Sequence, residues 1–208
     1  YNCGLMFDKG DGIPVDKKEA ARYYKMAADK GNVDALYKYS LMLNKGDGIP
    51  VNKKEAVKYI KMVADRGNAD AMYRYGLMLN KGKGISINKK EAVRYFKMAA
   101  DKGNTKAMFG YGLMLNNGEG IPVNKKEAVR YYKIAADKGN TEAMHNYGYM
   151  LENGKGIPVN KKEAARYYKM AADKGIDKAM YNYGLMLSKG EGISMNKKEA
   201  VRYFKMAA

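Results

Sequence analysis

Catalysis needs a nucleophile, an acid–base group or a metal ligand, and this chain commits few residues to any of them. His145 is the only histidine and Cys3 the only cysteine. His145 stands in a row filled elsewhere by tyrosine or phenylalanine, so it is expected to act as an aromatic substitute in a binding surface. Cys3 falls in the row of Tyr39 and Tyr75, a predicted core row, and is expected to be a small buried residue. Asp8 and Asp11 flank a Gly-Asp-Gly turn, but a calcium loop needs a longer ligand ladder and a closing bidentate glutamate. The Gly-x-Gly turns have no preceding strand and no following Gly-Lys-Ser/Thr, so they do not make a phosphate loop. No set of His, Cys or carboxylates converges at metal-ligand spacing. No catalytic residue, metal or cofactor is expected, and an enzyme is not expected. Tyrosine is abundant instead, with 19 copies beside 39 Lys and Arg.

The elements that position those residues are set by repetition. Gly-x-Gly-Ile begins at Gly10, Gly46, Gly82, Gly118, Gly154 and Gly190, a constant period of 36. Asp/Asn-Lys-Lys-Glu-Ala keeps the same spacing at Asp16, Asn52, Asn88, Asn124, Asn160 and Asn196. A fixed period of this length marks stacked helical units. The expected organisation is a single array over residues 1–208, with five full units and a truncated sixth, cut at both ends. A fragment of this kind leaves any targeting segment out of view.

Residues 32–67 show the physics of one unit. Asn32 caps a helix expected over Val33–Lys45, with Leu36, Tyr39, Ser40 and Leu43 on its inner face. Ser40 is glycine in the other five units, which fits close approach of a neighbouring helix; such a glycine costs about 1 kcal/mol against alanine. Gly46 ends the helix in a left-handed conformation, and Gly48 gives a second permissive position. Ile49 is expected to plug the hairpin base, and Pro50 blocks helix continuation. Asn52 and Glu55 resemble a capping box opening a helix from Lys53 to Arg66, with Ala56, Tyr59, Ile60 and Val63 inside.

These residues resemble the Sel-1-like repeat family, relatives of the tetratricopeptide arrays. The third unit carries the pattern in Ala71, Gly76, Gly82, Gly84, Ile85, Ala92, Tyr95, Phe96, Ala99, Ala100 and Gly103, and the match recurs six times. Tyr75 and Leu79 exchange the usual leucine and tyrosine, Tyr95 replaces a common tryptophan and Met98 a common lysine. Cysteine-bridged members exist, but the paired cysteines are missing here. The resemblance implies an all-α superhelix, a solenoid of helix-turn-helix units acting as a scaffold or adaptor, with its first helices lining a concave groove.

On that basis the rows that vary between units line the groove. They hold Tyr37, Lys38, Leu41 and Lys45, then Tyr73, Arg74, Leu77 and Lys81, then Phe109 and Leu113. His145, Asn146 and Tyr149 follow, with Tyr181 and Asn182 last. Aromatic residues beside cations suit protein-binding hot spots. The same tyrosines could equally serve packing between helices. A second candidate is the basic convex face of the second helices: Lys53, Lys54, Lys58 and Lys61; Lys89, Lys90, Arg94 and Lys97; Lys125, Lys126, Arg130 and Lys133. Lysines opening a helix oppose its macrodipole, which points to a use on an acidic partner or to copying by duplication. A row of Met26, Met62, Met98, Met170 and Met206, with Ile134, is expected to pack on the next repeat, the alternative being an adaptable apolar strip.

The formal charge of +17 favours anionic partners and also serves solubility. The expected partners are proteins, acidic in character; a self-repeating surface suits a repeating polymer such as a microtubule or another cytoskeletal filament. RNA binding is the weaker alternative, because lysine alternates with Asp and Glu along the second helices. A purely structural spacer is the third reading. No apolar run approaches a membrane span. The lone cysteine and the lack of Asn-x-Ser/Thr acceptors lean toward a reducing, cytoplasmic setting.

Overall fold

The computed structural model describes residues 1–208 as twelve α-helices and no strand. They divide into two compact units, Tyr1–Asn104 and Thr105–Ala208. The first holds α1 (Asn2–Lys9), α2 (Lys17–Asp29), α3 (Val33–Lys45), α4 (Lys53–Asp65), α5 (Ala69–Lys81) and α6 (Lys89–Asp101). The second holds α7 (Thr105–Asn117), α8 (Lys125–Asp137), α9 (Thr141–Asn153), α10 (Lys161–Ala172), α11 (Asp177–Lys189) and α12 (Lys197–Met206). Odd-numbered helices (A) pair with the following even-numbered ones (B) as hairpins. No helix is long and apolar enough to cross a membrane.

Each A-to-B turn is a backbone device. Gly46 takes φ 79° and returns its N–H to the Met42 carbonyl at 2.8 Å, satisfying an end carbonyl of α3. The chain then folds back until the Asn52 N–H donates to the Leu43 carbonyl at 2.8 Å. That bond changes the expected capping box. The Asn52 carboxamide oxygen accepts from the Glu55 N–H at 3.1 Å, but Glu55 takes the Asn52 side-chain amide at 2.9 Å instead of its backbone N–H. Ile49 is half-buried, and α4 ends at Asp65, one residue before the expected Arg66.

The second loop glycine has a steric reason that the sequence only hinted at. A Cβ on Gly84 would overlap the Lys53 carbonyl group, 2.6 Å from its carbon. In the second unit, one on Gly156 would lie 2.6 Å from the Lys125 carbonyl carbon. The turn of one hairpin therefore rests on the first turn of the preceding B helix, and only glycine fits there.

The mid-helix glycine meets an aromatic ring of its own hairpin. A Cβ on Gly76 would sit 2.9 Å from the Phe96 ring, and one on Gly112 2.8 Å from Tyr132. Ser40 is the exception, buried at 1% exposure, and its counterpart on α4 is Ile60, the one residue of that row without a ring. Aromatic side chains also stack edge-on, Tyr75 against Tyr95 at 4.6 Å and Tyr147 against Tyr167 at 4.7 Å. The exchange of tyrosine and leucine between core rows thus gives Tyr75 a ring to meet.

Several core expectations need correction. The inner face is wider than Leu36, Tyr39, Ser40 and Leu43: Ala35 and Met42 are buried too, as are Val57 and Ala64 on α4. An interior helix such as α3 packs against both α2 and α4, so the covered arc exceeds a single stripe. Tyr59 is only half-buried. Cys3 is exposed, not buried, because among the described residues no B helix covers the outer side of α1. In the methionine row Met26, Met62 and Met206 are 48%, 45% and 48% exposed, whereas Met98, Ile134 and Met170 are half-buried, so the row is only partly covered.

Candidate functional site

The varied A-helix rows place half-exposed side chains on a rigid base. In the first unit, Tyr37 of α3 accepts a hydrogen bond from Arg74 Nε of α5 at 2.8 Å. The Arg74 guanidinium carbon also lies 5.8 Å from the centre of the Tyr37 ring. Leu41 and Leu77 are half-buried beside them, while Lys45 and Lys81 are exposed. Lys38 reaches back to Asp8 at 3.8 Å. Tyr73 leans on the Phe96 ring at 5.9 Å, so this row both packs and faces outward.

The second unit repeats the arrangement with different chemistry. His145 lies 5.6 Å from the Tyr168 ring, as Phe109 lies 5.9 Å from Tyr132. Its Nδ1 is 3.2 Å from the Asn146 carboxamide oxygen and its Nε2 3.1 Å from the Asn182 amide nitrogen. Burial, the largest influence, pulls its pKa below the ordinary histidine value despite the opposing Asn146 hydrogen bond. His145 is therefore a neutral bridging ring at pH 7. Tyr149 and Tyr181 are exposed, and the Tyr149 hydroxyl accepts from Lys155 Nζ at 2.6 Å. Leu113 is half-buried. An open cleft of about 800 Å³ passes between His145, Tyr149, Tyr181, Asn182, Leu185 and Phe204.

The B-helix face is basic in composition, and part of its charge is paired with carboxylates of the same helices. Lys61, Lys97 and Lys133 pair with Asp65, Asp101 and Asp137 at 2.6, 2.7 and 2.6 Å, each one turn along its own helix. Arg130 pairs with Glu127 at 3.4 Å, and Arg94 lies 5.6 Å over the Tyr95 ring. Lys53, Lys54, Lys58, Lys89, Lys90, Lys125 and Lys126 are exposed. The first lysine of the opening pair also has an internal use. Lys17 binds Asp8 at 2.6 Å, and Lys161 binds Glu191 in the turn of the next hairpin at 3.0 Å. These pairings oppose the macrodipole penalty that the sequence left unexplained.

Asp65 and Asp137 tie successive B helices together. The Tyr95 hydroxyl donates to Asp65 at 2.9 Å, and the Tyr167 hydroxyl to Asp137 at 2.9 Å. The hydrogen bond from Lys61, foremost, and that from Tyr95 hold the Asp65 carboxyl below its ordinary pKa. Burial first and the carboxylate second push Tyr95 up to about 12. This network joins the hairpins and offers no acid–base pair near neutral pH.

The comparisons agree with this architecture. The Sel1 repeat profile matches residues 1–32, 33–68, 69–104, 105–140, 141–176 and 177–208. A Sel1 repeat protein from Oxalobacter formigenes is 30% identical over 100% of this chain and 83% of its own, with a TM-score of 0.87. The uropathogenic Escherichia coli protein c5321, described as a protective antigen displaying an SLR fold, is 26% identical over 99% of this chain, with a TM-score of 0.94. This chain spans only 44% of the length of c5321. Helicobacter pylori cysteine rich protein B shares the fold at 22% identity, over 62% of this chain and 92% of its own, with a TM-score of 0.51. No curated protein sequence matches the chain. Sel1 repeat proteins are generally protein-interaction scaffolds, and the fold is typically non-enzymatic. With matched repeats spanning it from end to end, the chain belongs to the Sel1 repeat family.

Proposed function

We propose that this chain is a protein-binding scaffold that holds its partner on the A-helix rows. The observation that carries the reading is the pair of cross-hairpin rungs, Tyr37–Arg74 and His145–Asn182. Each holds an aromatic group and a polar group in place by a hydrogen bond between successive A helices. Such preorganisation reduces the ordering cost of association, and aromatic and arginine side chains in this setting are effective anchors. The B-helix face is the weaker candidate, because its cations are interleaved with carboxylates. That interleaving also weighs against a phosphate-binding surface for RNA.

The test compares partner capture by the wild type, a Y37A/Y73A variant and a K54E/K90E/K126E variant, all shown folded by circular dichroism. A dedicated partner should weaken by about tenfold or more with the A-helix variant and change little with the other. Undiminished capture by the A-helix variant would end the reading. An acidic partner in a cytoplasmic setting suits the net charge of +17. Because the rows repeat, an acidic filament such as a microtubule is one form of that partner. Failure to cosediment with filaments at low salt would remove this form and leave the scaffold reading intact.

A further inference from the structure

The one hairpin that breaks the glycine–aromatic rule also opens a cavity, and this deepens the scaffold reading on which it rests. In the other hairpins the B-helix ring runs beneath the A-helix glycine toward the row that contains Asn44. The Tyr24 hydroxyl reaches Asp8 of that row at 3.1 Å, and the Tyr168 hydroxyl reaches Glu152 at 2.7 Å. Ile60 has no ring to extend there. A cavity of about 130 Å³ lies between α3 and α5, bordered by Ser40, Asn44 and Ile60. Tyr37 correspondingly turns to Arg74 as its partner.

The chemistry of this cavity is specific. Ile60, Leu41, Leu77 and Met78 make its apolar lining, while Arg74, Lys81 and Lys83 form a cationic rim. No carboxylate lies among the lining residues, and none lies within 4.0 Å of those three cations. Arg74 uses Nε on Tyr37, leaving the terminal nitrogens of its planar fork for another acceptor. The Ser40 hydroxyl donates to its own helix at the Tyr37 carbonyl, 2.6 Å away. An apolar hole inside an uncompensated positive rim fits an apolar side chain flanked by carboxylates. The size is suitable, since a cavity of about 150 Å³ holds a benzene ring.

We infer that this cavity is an anchor site for an acidic peptide segment of a partner protein, taking one phenylalanine-sized side chain between α3 and α5 while flanking carboxylates bind Arg74, Lys81 and Lys83. The partner's ring stands where the chain's other hairpins place their own. Glutamate or aspartate on either side of it supplies the charge that the rim lacks.

The experiment measures anisotropy of three labelled short peptides on the full chain: glutamates around phenylalanine, glutamates around alanine, and lysines around phenylalanine. The protein is wild type or S40G/I60F, which installs the glycine and ring of the other hairpins and so keeps the fold. The acidic phenylalanine peptide should bind wild type about tenfold tighter than either control peptide, and S40G/I60F should lose that advantage. K81Q/K83Q should weaken binding and flatten its salt dependence. Equal binding of the alanine peptide, unchanged binding by S40G/I60F, or no binding at all would each overturn the inference. Should the peptide fail while Y37A/Y73A still abolishes partner capture, only the anchor site falls. Should Y37A/Y73A leave capture intact, the scaffold reading falls as well.

Discussion

The hairpins α3–α4 and α5–α6 differ where a copied unit could least be expected to differ, in the contact between their two helices. In α5–α6 the backbone of Gly76 lies against the Phe96 ring, and a Cβ there would approach it to 2.9 Å. In α3–α4 Ser40 occupies the glycine place and Ile60 the ring place, both buried at 1%. Either half of the exchange alone is a defect: serine would strike a ring, and isoleucine under glycine would leave a void. Made together they fit, at the cost of a cavity beside Asn44. The core is therefore specified by pairs of positions across a hairpin, not by positions taken singly. The same lesson applies where the ring carries a hydroxyl. Tyr24 finds Asp8 and Tyr168 finds Glu152, where the facing row offers a carboxylate. The Tyr132 hydroxyl, in the hairpin with Asn116 in that row, and the Asn80 carboxamide oxygen, in the hairpin of the hydroxyl-less Phe96, are instead buried without a partner.

The largest expected effect tests what the two hairpins share. Gly84 has φ 77°, and its added Cβ would overlap the Lys53 carbonyl group. A backbone obstacle cannot move aside like a side-chain tip. G84A should cost about 3 kcal/mol or more, combining overlap with left-handed strain. G48A, facing Lys17 in the same way, should cost a similar amount by urea unfolding. A tolerant G48A beside a damaging G84A would show that the turns are not equivalent.

A smaller effect separates the hairpins. G76S should destabilise by about 1–3 kcal/mol through overpacking, and F96I by about 1–3 kcal/mol through the void it leaves. The double variant recreates the Ser40–Ile60 arrangement and should recover part of the summed loss. A coupling of about 1 kcal/mol or more in the double-mutant cycle is expected. Strict additivity would mean that the exchange seen in α3–α4 is coincidental.

How much of this was legible in the sequence follows from the range of each interaction. The Gly46 cap, the Asn32 and Asn52 caps and the helix spans are local, and a single unit suffices to read them. The departure of Ser40 was visible as a broken repeat. Its partner Ile60 was not recognised as the other half, because the pair meets only after the hairpin closes. Gly48 looked like a flexible turn residue; its real obstacle, the Lys17 carbonyl, belongs to the previous hairpin. Cys3 was misplaced for a related reason, since its row is buried only where a preceding B helix covers it. The A-helix rows were legible as positions that vary, but the Tyr37–Arg74 and His145–Asn182 rungs join residues of different repeats and appear only in three dimensions.

The smallest effect concerns the bonds between successive B helices, where the two hairpins again part. Tyr95 of α6 donates to Asp65 at 2.9 Å. Tyr59, its counterpart on α4, packs edge-on against Tyr39 at 5.3 Å as Tyr95 does against Tyr75 at 4.6 Å, but its hydroxyl makes no matching bond to Asp29. Y95F should therefore cost about 1 kcal/mol, while Y59F should be close to neutral. The acid side of the stability profile gives an independent check. Lys61 and Tyr95 lower the Asp65 pKa in the folded chain, so the unfolded chain takes up its proton first as pH falls. The stabilisation is then complete above the ordinary aspartate value of about 3.9 and is lost as pH drops through the lower folded value. Asp65 is 48% exposed in its ion pair, and screening keeps this contribution below about 1 kcal/mol. D65N should remove that part of the acid slope, and Y95F should reduce it. An unchanged slope in both variants would assign acid sensitivity to other carboxylates, leaving the Tyr95 bond as a packing contact without electrostatic weight.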